Sequence, residues 1–153
     1  MVKTPKNDDY HDMLYALKNA GAEFLVVGGF AMAAHGLLCG TKDIDIWVRA
    51  TPENAKRVIS ALIDFGAPLN DISESDFAVP GSVYQIGVAP VRIDLLTKIA
   101  GIDFDSAWLN KIDSELFDVA VPVIGRDALI LNKRAVGREQ DLLDVKNLEN
   151  NTD

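Results

Sequence analysis

Three aspartates carry the first chemical signal in the chain. Asp43 and Asp45 lie two apart in the run Asp43 to Arg49, where Ile44, Ile46 and Val48 alternate with Asp43, Asp45, Trp47 and Arg49. That is the period of a half-buried strand with its isoleucine face to the core, and it projects both carboxylates to the same side. A third, Asp94, stands in the run Val91 to Leu96, which sets Arg92, Asp94 and Leu96 on one face of a separate strand able to pair nearby. Nothing beside the three carboxylates neutralises all of them. Like charges about 4 Å apart repel by roughly 1 kcal/mol in water and by several times that when partly buried. Such a cluster is tolerated mainly around a cation, and a set of oxygen ligands favours magnesium or manganese over zinc.

Upstream, Gly28 and Gly29 separate a short apolar run, Phe24 to Val27, from the helix-forming Phe30-Ala31-Met32-Ala33-Ala34. Strand, glycine turn and helix in that order let backbone N–H groups approach a phosphate closely. A phosphate cradle beside an acidic cluster points to nucleotidyl transfer. Two metals there would bridge the triphosphate and lower the cost of charge on the attacked phosphorus, and an acceptor hydroxyl would attack in line as pyrophosphate leaves, a two-metal mechanism.

The elements that must position these groups follow from periodicity. Met13, Leu14, Leu17 and Ala20 fall at helical spacing between Asp9 and Ala20, with Gly21 as a stop, and predict an amphipathic first helix. Thr51-Pro52-Glu53 opens a second long helix whose apolar stripe is Val58, Ile59, Leu62, Ile63 and Phe65, ending at Gly66. Residues 67–82 hold too many breakers for more than a turn or two of regular structure. Val83 to Val88 and Val91 to Leu96 suit a hairpin across Ala89-Pro90, with Pro90 confining that strand end to an edge or a strand start. A weak helix around Trp108 and Leu109 precedes one last strand, Leu116 to Ile124. Asp127 to Val136 and Glu139 to Leu148 read as helices broken at Gly137, with Leu129, Ile130, Leu131, Leu142, Leu143, Val145 and Leu148 facing inward.

Composition sets the frame. The chain has 153 residues, 48% apolar and 25% charged, which suits one globular domain spanning residues 1–153 and excludes disordered and fibrous classes. A formal net charge of -8 argues against a protein that coats itself with nucleic acid, since nonspecific phosphate binding is driven by Lys and Arg. Cys39 is the single cysteine, so no internal disulfide forms, and a reducing compartment is the default. Met1 to Asp9 lack the apolar stretch of a secretory signal. Phe24 to Ala34 is about half of the roughly 20 residues that span a bilayer, so a cytoplasmic protein with no membrane partner is expected.

The order Val27-Gly28-Gly29-Phe30-Ala31, His35-Gly36 and Thr41-Lys42-Asp43-Ile44-Asp45-Ile46 resembles the signature of the nucleotidyltransferase superfamily. In particular it resembles the bacterial toxin-type branch typified by the AbiEii toxins. The resemblance implies an α+β nucleotidyltransferase fold, with a mixed or antiparallel twisted sheet of about four to five strands flanked by helices and a short C-terminal helical pair. It implies metal ligation and catalysis by Asp43, Asp45 and Asp94, with Asp94, in Ile93-Asp94-Leu95, as the natural base for the acceptor hydroxyl. Gly28, Gly29, Thr41 and Lys42 are the implied nucleotide contacts. The segment Leu131 to Val145 is similar to the family's K-x-x-x-G-R-x-x-D-x-x-D helical pair, which makes Lys133 and Arg138 candidates for triphosphate or acceptor contacts, supported by Asp141 and Asp144. Members often carry arginine two residues before the threonine; Cys39 stands there, leaving Lys42 or Arg49 to compensate.

The implied activity is transfer of a nucleoside monophosphate from a triphosphate, with Mg2+ or Mn2+, to a hydroxyl on a protein, a transfer RNA or a small molecule, in a toxin–antitoxin or defence setting. The chain leaves no room for a separate acceptor-binding domain, so a homodimer or partner protein is expected to complete the cleft. The alternative is a catalytically degenerate module that binds nucleotide or a partner without turnover. Blander readings apply to single residues: His35 caps or hydrogen-bonds within the core, Cys39 packs, and Trp47 and Trp108 are core or rim aromatics.

Overall fold

The structure is a computed structural model that describes residues 7–37, 43–88 and 91–151. Cys39, Thr41, Lys42 and Pro90 lie outside the described residues. Six strands form one sheet. In chain order the elements are α1 (Asn7–Asn19), β1 (Phe24–Val27), α2 (Gly28–Ala34), β2 (Ile44–Val48), α3 (Pro52–Phe65), α4 (Glu74–Phe77), β3 (Val83–Val88), β4 (Val91–Leu96), α5 (Phe104–Leu109), β5 (Ile112–Leu116), β6 (Val119–Val123), α6 (Arg126–Val136) and α7 (Glu139–Asn150). The strand order is β3-β4-β2-β1-β6-β5. Pairing is antiparallel for β3 with β4, β1 with β2 and β5 with β6, and parallel for β2 with β4 and β1 with β6. The expected mixed sheet between helices is therefore present, with its C-terminal helical pair.

All four residues of β1 are buried, which follows from its place inside the sheet with elements packed on both faces. Ile44, Ile46, Ile93 and Leu95 join it in the core with Met13, Leu14 and Leu17 of α1 and Val58, Ala61 and Leu62 of α3. The alternation in β2 is broken on its second face, because Trp47 is also buried and meets Phe104 of α5 edge to face at 5.0 Å. Helix α3 starts where Thr51 accepts a hydrogen bond from Asn54 N and ends at the left-handed Gly66.

Two expectations are corrected. Leu116 to Ile124 is not one strand but the turn and second arm of a hairpin, β5 and β6, that turns at Phe117 and Asp118, both with positive φ (51° and 65°). Such a turn normally uses Asn or Gly; here the Phe117 ring packs on Tyr10 and Phe30 at 5.2 and 5.3 Å, and His11 Nδ1 lies 2.7 Å from Phe117 O. Tertiary contacts hold a conformation that Phe117 does not favour locally, and the sheet gains a strand. Second, Leu131, Leu142 and Leu143 do not face inward but are about half exposed. Within the turn or two of regular structure expected of residues 67–82 lies one short helix, α4, which Asp76 opens by accepting from Ser73 N at 2.9 Å. No helix among the described residues is long and apolar enough to cross a membrane.

Asn54 shows how the sheet end distant from the glycine turn is held. Its side chain accepts from Glu23 N (2.7 Å) and donates to Glu23 O (3.0 Å) and Arg49 O (2.9 Å), joining the entry to β1 and the exit from β2. Asn54 is buried, so truncation strands three backbone groups. Asn54→Ala is expected to lower the unfolding free energy by about 2 kcal/mol, read from urea midpoints at constant slope; a change within error would show that water replaces the amide without loss.

Candidate active site

The register of two strand pairs assembles the site. Across β1 and β2, Val27 pairs with Asp45; across β2 and β4, Asp45 pairs with Asp94. Neighbouring strands lie about 4.8 Å apart, so the two carboxyl groups stand side by side. Asp43, two residues before Asp45, joins the same side, as does Arg92, two before Asp94. The three aspartates read from the sequence are thus brought together.

Arg92 is the residue that the sequence reading left out of the site. Its Nε donates to Asp94 Oδ1 at 2.9 Å, and its terminal nitrogen lies 3.2 Å from both Asp94 Oδ2 and Asp43 Oδ2. The expectation that nothing neutralises all three carboxylates holds in part, because one guanidinium now compensates two of them. The signal for it was present, since Arg92 shares the strand face of Asp94. The Asp94 hydrogen bond also holds the Arg92 guanidinium protonated above its ordinary range.

Asp45 takes the residual strain. Burial, then the charge and hydrogen bond of Asp94, then the charge of Asp43 raise its pKa from the ordinary 3.8 to about 7, with Arg92 opposing. Gly28 leaves the space this carboxyl uses. Its φ is +71°, and a Cβ there would stand 2.3 Å from Asp45 Oδ2, so glycine is required both for the turn and for the carboxylate beside it. Gly29 follows in the first turn of α2. Beneath the site, Tyr10 places its hydroxyl 3.5 Å from Arg92 O, and its phenol pKa is raised, first by burial. His35 lies 2.9 Å from Ile124 O through Nε2, the structural role read from the sequence.

The remaining basic candidates are engaged elsewhere. Lys133 Nζ lies 2.9 Å from Asp144 Oδ2 and 3.7 Å from Asp141 Oδ1, and Arg138 Nε lies 2.7 Å from Asp141 Oδ2. The Arg138 hydrogen bond lowers the Asp141 pKa against the effect of burial. This network locks α6 onto α7. The C-terminal half of α6 rests on the loop after β4, through Asn132 Nδ2 to Ala100 O at 2.9 Å, whereas Asp43 and Asp45 lie at the N-terminal end of β2 with Asp94 beside Asp45. Arg49 binds Glu23 at 2.6 Å and Asp105, with its guanidinium 4.6 Å over the Phe104 ring. A cavity of about 640 Å³, lined by Trp47, Arg49, Thr97 and Phe104 among others, also lies past the C-terminal ends of β2 and β4, away from the acidic cluster. The candidate site is an open face, with Asp43 29% and Arg92 31% exposed.

Among the described residues no group of three His, Cys, Asp or Glu side chains is already spaced as a metal cage, and Arg92 takes oxygens of two of the three aspartates. The donor set nonetheless fits a hard divalent cation. It is oxygen only, drawn from adjacent strands, and carries an excess of negative charge that Arg92 does not cancel and that raises Asp45.

No family model matches the sequence, and no curated protein matches it. Solved structures do. The lincosamide antibiotic adenylyltransferase LnuA, in its lincomycin-bound structure, is 17% identical with a TM-score of 0.59 over 98% of this chain and 100% of its own. TM1012 of Thermotoga maritima, a candidate nucleotidyltransferase, is 15% identical with a TM-score of 0.64 over 98% of this chain and 96% of its own. At these identities the likeness establishes the fold: the chain has the nucleotidyltransferase fold along nearly its whole length.

Two outcomes are expected of the metal-free protein. A folded-state pKa of about 7 against 3.8 unfolded means that the native chain holds a proton on Asp45 that the unfolded chain has released. The stability from this group is therefore full below pH 4 and is lost as pH rises to 7. Asp45→Asn removes that loss, at most about 4 kcal/mol for three pKa units and less with solvent screening. Its Tm at pH 8 is expected to exceed that of the wild type; an equal or lower Tm at pH 8 would dismiss the strained carboxyl. Gly28→Ala is expected to cost at least about 1 kcal/mol from its left-handed φ alone, measured by chemical denaturation.

Proposed function

We propose that the protein is a metal-dependent nucleotidyltransferase that moves a nucleoside monophosphate from a nucleoside triphosphate to a hydroxyl acceptor. The observation that carries this reading is the convergence of Asp43, Asp45 and Asp94 beside the Gly28 turn in a chain with this fold. The three carboxylates would hold Mg2+ or Mn2+. When bound, the metal supplies positive charge for the triphosphate oxygens and the leaving pyrophosphate.

The chain's own groups do the rest. The backbone N–H groups of the Gly28-Gly29 turn bind phosphate oxygens, with Gly29 presenting no Cβ to keep them away. Asp94, held in one orientation by Arg92, accepts the proton of the attacking hydroxyl. The hydroxyl oxygen forms the new bond to the α-phosphorus, the bond from that phosphorus to the bridging oxygen breaks, and pyrophosphate carries away the electron pair. Lys133 is assigned to holding α6 to α7 through Asp141 and Asp144, and Arg138 to capping α7 through Asp141.

A small hydroxylated molecule is the favoured acceptor. LnuA is a lincosamide adenylyltransferase of matching length, and a net charge of -8 opposes a broad transfer RNA surface. A cytoplasmic toxin-type or defence setting rests on the motif resemblance. One observation favours a second reading, binding without turnover: Arg92 engages Asp43 and Asp94 in the place a cation would take.

The test is incubation with each α-labelled triphosphate, Mg2+ or Mn2+ and a cell lysate, following pyrophosphate release and the labelled species. Asp43→Ala and Asp94→Ala are expected to reduce transfer by at least about 10²–10³-fold. Unaltered transfer in either variant would remove the metal assignment. Metal-dependent triphosphate binding in calorimetry without product in any extract would instead establish the noncatalytic reading.

A further inference from the structure

Helix α7 carries apolar residues on two opposite faces. Asp141, Asp144, Val145 and Leu148 are buried against the body of the protein. At about 100° per residue these four fall within an arc of about 100°. Glu139, Leu142, Leu143 and Lys146 fall within a second arc of about 100°, centred about 160° from the first. Leu142 and Leu143 are 48% and 51% exposed, and the four residues line a shallow groove. A helix that packs only once keeps its outer stripe polar.

The charges around the two leucines identify the occupant. Glu139 precedes Leu142 by as many positions as Lys146 follows Leu143. A two-fold axis between Leu142 and Leu143 therefore lays two copies of α7 antiparallel, so that on one side of the seam Leu142 meets the second copy's Leu142 and on the other Leu143 meets its Leu143. The same operation puts Glu139 beside the partner's Lys146 and Lys146 beside the partner's Glu139. Along the seam the charges stand one helical turn before and one turn after the leucine pair, and the surface is self-complementary, as a two-fold interface requires. Among the described residues neither Glu139 nor Lys146 has an ion pair within the chain, so both charges are available. We propose that α7 is a homodimerisation surface and that a second copy of this chain covers it in this register. The inference is independent of the proposed activity.

One helix per protomer covers less than the roughly 800 Å² per partner of a standard interface, so the dimer is weak. Sedimentation equilibrium of the full chain between about 10 and 500 µM is expected to show a monomer–dimer equilibrium across that range. Leu142→Lys, Glu139→Lys and Lys146→Glu are each expected to raise the dissociation constant about ten-fold or more. The double swap Glu139→Lys with Lys146→Glu is expected to return it to within about three-fold of the wild type, because the pair is restored across the axis. The altered side chains are exposed, so circular dichroism should match the wild type. A wild-type chain monomeric throughout, a dimer indifferent to Leu142→Lys, or a double swap as weak as either single would overturn the proposal.

Discussion

Crowded carboxylates are the constraint around which this molecule is arranged. The parallel pairing of β2 with β4 places Asp45 beside Asp94, and the two-residue period adds Asp43 and Arg92 to the same side. That register is held by the opposite face, where Ile44, Ile46, Ile93 and Leu95 are buried. A slip of one residue would exchange the isoleucines for the aspartates in the core. Apolar burial thus enforces an electrostatically unfavourable cluster, and Arg92 relieves only part of it. Binding sites commonly carry this kind of local cost, which a cation ligand then removes.

The elements under the site are tied together by aromatic packing rather than by charge. Tyr10 of α1, Phe30 of α2 and Phe117 of the β5–β6 turn meet edge to face, with centroids 5.2 to 5.8 Å apart. His35 links the end of α2 to the end of β6. The short α2 is therefore held at both ends, and the Gly28 turn that precedes it is fixed against Asp45. A glycine with left-handed φ and a carboxylate filling the space of its missing side chain form a single unit.

Cations elsewhere serve structure. Arg49 joins β2 to α5 through Asp105 and the Phe104 ring and reaches back to Glu23. Lys133 and Arg138 neutralise Asp141 and Asp144 between α6 and α7. Buried carboxylates need such partners, because leaving one unpaired costs several kcal/mol, of the order of 3–5 when a partner is removed. The K-x-x-x-G-R-x-x-D-x-x-D pattern is accordingly explained by the closure of a helical hairpin: Gly137 ends α6 in a left-handed conformation, and Asp141 accepts from Arg138 N at 3.2 Å to open α7.

The sequence by itself determined the elements whose local pattern agrees with their environment. Strand β1, the glycine turn, the alternation of β2 and the capped α3 were all legible, and with them the three aspartates and the face each occupies. What only the tertiary structure decided were features that depend on distant partners. At the turn Asp118 tolerates positive φ locally, whereas Phe117 does not and is held there by Tyr10, Phe30 and His11. Arg92 was visible as a neighbour of Asp94 on the strand, but its contact with Asp43 exists only once β4 lies beside β2. Leu142 and Leu143 fit a helical stripe as well as Val145 and Leu148 do, and periodicity alone does not say which of two opposite apolar stripes meets the core. Local chemistry sets period and caps, whereas burial and ion pairing belong to groups brought together across the fold.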